Sequence, residues 1–123
     1  MTDRAPALAV VEAYMGAVGS RDAEGARRCL ADTGFRFVSP LRRYDDPDSL
    51  IEEIVRAGTI MKQVERRKVF VDGDDVCIIM DFKTTLDELA NTPLALWATV
   101  HDGRIVRLEL FYDTGAYSRM FES

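Results

Sequence analysis

The order of periodicities along this chain predicts an α+β domain in which amphipathic helices fold over a curved antiparallel sheet. Three observations carry that expectation. Helix-spaced apolar residues with capping signals dominate the first half, strand-like runs fill the second, and two Asp-Gly pairs punctuate those runs as hairpin turns. With 123 residues the chain has the length of one domain, spanning 1–123.

Each element has its own signal. Pro6 suits a first helical turn, where its missing N–H is not needed. Leu8, Val11, Met15 and Val18 then recur at helical spacing, with Val10, Tyr14 and Ala17 as an adjacent stripe, until Gly19-Ser20. Asp22 is a good N-cap for a second helix carrying Ala26, Cys29 and Leu30, and Gly34 stops it. Phe35 to Pro40 alternates as a short strand. Asp46 caps a third helix with Pro47 at its first position and Leu50, Ile51 and Ile54 on its buried face, and Gly58 ends it.

Strands follow from Ile60 to Val71 and from Val76 to Leu86, joined by Asp72-Gly73, whose central positions tolerate positive φ. A polar loop from Asp87 to Pro93 leads to a strand from Leu94 to Val100. Asp102-Gly103 then turns into a last strand from Ile105 to Tyr112. The tail from Thr114 to Ser123 reads as a short helical turn packing Tyr117 and Phe121.

Composition narrows the function. At 47% hydrophobic and 30% charged residues the chain is globular rather than disordered. A formal net charge of -5 argues against a nucleic-acid partner, because phosphate contacts need a basic surface. The run Arg66–Lys68 is the local exception and reads as a solvated strand face. Cys29 and Cys77 form no disulfide framework and look like small core residues of a reducing compartment. Glu12 and Asp3 spoil a signal-peptide reading, and no apolar run is long enough to span a bilayer. The expected location is cytoplasmic, with no membrane partner.

Several stretches together resemble a known superfamily. Val10-Val11-Glu12-Ala13-Tyr14-Met15, Arg21-Asp22 and Leu30-Ala31-Asp32 are similar to the opening of nuclear-transport-factor-two-like domains. So is Val38-Ser39-Pro40 before the capped third helix. Asp102 to Val106 and Leu110 to Asp113 look like the closing hairpin. The superfamily includes ketosteroid isomerases, limonene-epoxide hydrolases, scytalone dehydratases and SnoaL-like polyketide cyclases. The resemblance implies a cone-shaped cavity between three helices and the sheet, a small apolar ligand, no cofactor, and a homodimer formed through the outer face.

Two residues are the candidate catalytic groups. Tyr14 resembles the ketosteroid isomerase tyrosine that donates a hydrogen bond to substrate oxygen, a role worth about 10²-fold or more in rate. Asp81 lies in the apolar run Cys77–Phe82, where an unpaired charge is expensive, and it resembles one aspartate of the epoxide hydrolases. Period two puts it on one face with Lys83, so an ion-paired or dimer-facing residue is the alternative.

Other positions depart from those patterns. Ser39 stands at the isomerase base, Trp97 near its second acid, and Ile79 and Leu110 where epoxide hydrolases keep polar groups. Val18, Phe37, Ser39, Trp97, Leu110 and Tyr112 are expected on the pocket wall. His101 flanks a turn, and no spacing suits a metal site.

Two functions stay open on this reading. One is a cofactor-free isomerase, cyclase or hydrolase working on a small apolar substrate. The other is a non-catalytic ligand-binding or dimerisation module.

Overall fold

The computed structural model describes residues 5–57, 61–84 and 92–114. The proposed tail helix with Tyr117 and Phe121, and most of the loop after Leu86, lie outside them.

Helix α1 (Ala5–Gly19) buries Ala7, Val11, Tyr14 and Ala17, a stripe at spacings of four and three that runs between the two expected from sequence. Helix α2 (Ala23–Arg28) is capped by Asp22, whose carboxylate accepts from the Gly25 amide at 2.9 Å. Its end is stitched to the sheet, because the Ile105 amide donates to the Cys29 carbonyl at 2.7 Å and the Ala31 amide to the Ile105 carbonyl at 2.9 Å. Helix α3 (Pro47–Ala57) starts as expected, with the Ser49 amide donating to Asp46 at 2.9 Å. Arg27 ties α2 to α3 through Asp48 at 2.8 Å.

Among the described residues six strands form one sheet: β1 (Arg36–Val38), β2 (Arg43–Tyr44), β3 (Met61–Asp72), β4 (Asp75–Thr84), β5 (Thr92–His101) and β6 (Arg104–Tyr112). Their spatial order is β2-β1-β6-β5-β4-β3. All neighbours are antiparallel except β1 and β6, which run parallel, so the sheet is mixed. Register shifts at Arg66/Lys68 and Thr99/Val100 mark bulges, which bend strands toward one face. All three helices pack on that sheet from the N-terminal half, as the fold class predicts, with α1 lying across β3 to β6.

Several details differ from the sequence expectation, and α2 already ends at Arg28, so Cys29 is its C-cap and Leu30 bridges to Ile105 instead of continuing the helix. Strand β2 was not expected; two residues suffice because Ser39 closes a tight turn onto Arg42. The first hairpin is shifted by one residue. Asp72 pairs with Asp75, so Gly73 and Asp74 form the turn and only Gly73 takes positive φ, at 61°. The second turn is as expected, with Asp102 at φ 52° and Gly103 at 76°. Strand β5 begins at Thr92 and takes in Pro93, which stands opposite Asp81 and has no N–H to give the ladder.

Candidate functional site

Alternation along the long strands sets the site. Residues 76, 78, 80 and 82 of β4, 94, 96 and 98 of β5, and 108, 110 and 112 of β6 share the inner face, against the helices. Near the helices the side chains close up. Val11, Leu30, Ile78 and Ile105 are fully buried there, each worth about 1.5–3 kcal/mol of transfer free energy. Toward the C-terminal end of α1 they part around a cavity of about 200 Å³. That is smaller than the roughly 300–1,000 Å³ of drug-sized sites, so the space suits a small molecule.

The cavity wall is mostly apolar. Helix α1 contributes Tyr14, Met15 and Val18; α3 contributes Leu50, Glu53, Ile54 and Ala57. The sheet supplies Phe37, Val64, Met80 and Phe82, and then Leu94, Leu96, Leu108, Leu110 and Tyr112. Phe37 stacks on Tyr44 at 5.8 Å between ring centroids, which fixes the β1–β2 corner of the wall.

Tyr14 is buried, and its hydroxyl has no hydrogen-bond partner among the described residues. No polar side-chain atom among those residues is sealed off without a partner, and Tyr14 is one of the residues lining the cavity. Burial first, then the nearby Cys29 and Glu53, hold its pKa well above the ordinary tyrosine range. The phenol therefore keeps its proton at physiological pH and remains a donor.

Glu53 is the wall's carboxylate, and sequence reasoning missed it. Its Oε1 accepts a short hydrogen bond from the Tyr44 hydroxyl, and Arg42 Nε lies 3.7 Å from the same oxygen. That bond, before burial, raises the Tyr44 pKa. A signal was present: Leu50, Glu53, Ile54 and Ala57 recur at helical spacing, so Glu53 shares the face of the apolar positions.

The remaining expected residues divide. Val18, Phe37, Leu110 and Tyr112 stand on the cavity wall with Tyr14. Ser39 does not, because its hydroxyl accepts from the Arg42 amide at 3.1 Å within the β1–β2 turn. Trp97 faces the opposite side of the sheet. Its indole N–H donates to Asp75 Oδ1 at 3.0 Å, and the Arg107 guanidinium lies 4.8 Å over its ring.

Asp81 also stands on the outer face, 3.6 Å from Arg67 on β3. The two candidate catalytic residues, Tyr14 and Asp81, are thus not brought together at the cavity. Period two places Asp81 with Ile79 and Lys83, and the sheet separates it from the cavity. Among the described residues no cluster of histidine, cysteine or carboxylate side chains could hold a metal ion, and no helix is long and apolar enough to cross a membrane.

Comparison with known proteins agrees with this architecture. No protein-family model and no curated protein matches the sequence. Solved structures do match. A protein from Kribbella flavida is 26% identical over 91% of this chain and 90% of its own, with a TM-score of 0.81. An NTF2-like protein of unknown function from Cytophaga hutchinsonii is 19% identical over 94% and 95%, at 0.77. TerC, co-crystallised with polyporic acid, is 20% identical over 97% and 100%, at 0.80.

More distant in sequence are an LEH-like epoxide hydrolase of M. tuberculosis (18%, 93% and 87%, 0.78) and a hypothetical protein of Catenulispora acidiphila with a ketosteroid isomerase-like fold, in complex with trimethylamine (14%, 87% and 87%, 0.74). The chain has the NTF2-like fold.

Proposed function

We propose that this domain binds a small, largely apolar molecule in the cavity between α1, α3 and the inner sheet face, with Tyr14 donating a hydrogen bond to an oxygen of that molecule. The observation that carries this reading is the protonated Tyr14 hydroxyl, without a partner among the described residues, on a mostly apolar wall. A polar group left this way favours a ligand that completes it. Neighbours of the same fold holding polyporic acid and trimethylamine support a ligand-holding role. Binding rather than turnover is proposed because the carboxylate suggested for proton transfer, Asp81, faces outward. Val18, Phe37, Leu110 and Tyr112 shape the site.

Calorimetric titration with acetophenone, a small aromatic ketone, tests the role of Tyr14. A Tyr14→Phe variant should bind it about 2- to 10-fold more weakly, the worth of one neutral hydrogen bond. Equal affinity in the two proteins would remove Tyr14 from the reading.

The domain is further proposed to work as a homodimer through its outer sheet face. Phe70 and Phe111 are 53% and 47% exposed there, beside Cys77, Ile79, Ala95 and Trp97, and no described helix covers them. Sedimentation should show a dimer that Phe111→Lys converts to monomer. A monomeric parent protein at micromolar concentration would contradict this.

A further inference from the structure

We infer that the cavity selects a small organic cation, an amine whose ammonium group pairs with Glu53 while its hydrocarbon part fills the apolar wall. This deepens the ligand-binding reading above and rests on it. The geometry of Glu53 carries the inference. Among the described residues, its two polar contacts, from the Tyr44 hydroxyl and Arg42 Nε, both fall on Oε1. Oε2 has no partner among the described residues, and it is not sealed away, so it remains available as an acceptor.

Charge points the same way. Glu53 is the single charged residue among the described residues lining the cavity, so an anionic ligand would meet a like charge with no lining cation to offset it. Arg42 softens this field only in part. Its side chain is 57% exposed and does not line the cavity, and an exposed pair at that distance is screened by water and salt.

The lining also suits a cation once it has shed water. The faces of Tyr14, Phe37, Phe82 and Tyr112 are negative and attract an ammonium group placed over them. An ammonium N–H to a carboxylate oxygen is a charge-assisted bond, roughly twice as strong as a neutral one. The Tyr14 hydroxyl has a lone pair to accept a second N–H, or it donates to an oxygen elsewhere on the same ligand. These terms together oppose the cost of desolvating the amine.

Three probes of nearly equal shape and different charge test the inference: benzylamine, benzyl alcohol and benzoate, each titrated calorimetrically into the whole protein at neutral pH. Benzylamine should bind at least about tenfold more tightly than benzyl alcohol, and benzoate most weakly. Two variants should move the preference in opposite directions. Glu53→Gln keeps an oxygen for the Tyr44 hydroxyl and should erase the amine preference, so that benzylamine and benzyl alcohol bind within about threefold of each other. Arg42→Ala removes the competing cation and should widen the preference.

Benzylamine binding no tighter than benzyl alcohol would overturn the cation inference alone. So would a preference that survives Glu53→Gln. If none of the three probes binds the parent protein, the ligand-binding reading falls with it.

Discussion

An Ile78→Ala variant is expected to lose about 3 kcal/mol of folding stability, within the range seen when a large buried aliphatic chain is cut to a methyl group. Ile78 is fully buried at the centre of β4, with Val69 and Leu96 opposite it on the flanking strands and α1 above the same face. Neighbours fixed in a ladder relax little into the space left behind, so the cavity cost adds to the lost transfer energy. Urea titration would measure it. The informative control is Ile79→Ala, one residue along on the half-exposed outer face, where the loss should be about 1 kcal/mol. Equal losses at the two positions would mean that the inner and outer faces have been assigned the wrong way round.

A Leu110→Trp variant should abolish ligand binding while leaving the fold in place. Leu110 lies on the cavity wall and is only partly buried, so the added indole has empty space to enter rather than packed neighbours to displace. Affinity for acetophenone should fall by about 100-fold or more, since the ligand and the indole compete for one volume. The stability change should stay below the roughly 1–3 kcal/mol typical of overpacking a closed core. Replacing Trp97 by leucine on the outer face is the matched control, and it should leave affinity unchanged. A Leu110→Trp protein that binds as well as the parent would place the ligand elsewhere.

Much of the architecture was legible because it rests on local signals. Asp22 and Asp46 cap the helices they were expected to cap, and the Asp102-Gly103 turn takes positive φ at both positions. What was lost depended on pairing. The slip at Asp72-Gly73 is a one-residue choice between turn types, decided by Asp75 pairing with Asp72 across the strands. Strand β2 has two residues, too few to leave a period, and exists because β1 offers it an edge.

The site was legible only where face and register agreed. Leu110 and Tyr112 were grouped correctly on one face of β6. Trp97 was placed with them although its own alternation sets it against Leu94, Leu96 and Ala98, and Leu96 pairs with Leu110. Aromatic size outweighed parity there, and parity was the better guide. Asp81 drew attention as a charge in an apolar run, a pattern shared by any strand whose outer face is half covered. Glu53 carries little local signal, because a glutamate on a short helix is ordinary. Its place on the wall depends on how α3 rolls against β1 and β2, a tertiary fact with no local trace beyond the helical spacing.

The central claim is that the space beneath Tyr14 is a ligand site, and methyl-resolved NMR during titration with acetophenone tests it most directly. The account predicts saturable shifts in the methyl groups of Val18, Ile54, Leu96, Leu108 and Leu110, and none at Ile79 on the other side of the sheet. Shifts centred on Ile79, or no saturable shift at the cavity methyls, would contradict it.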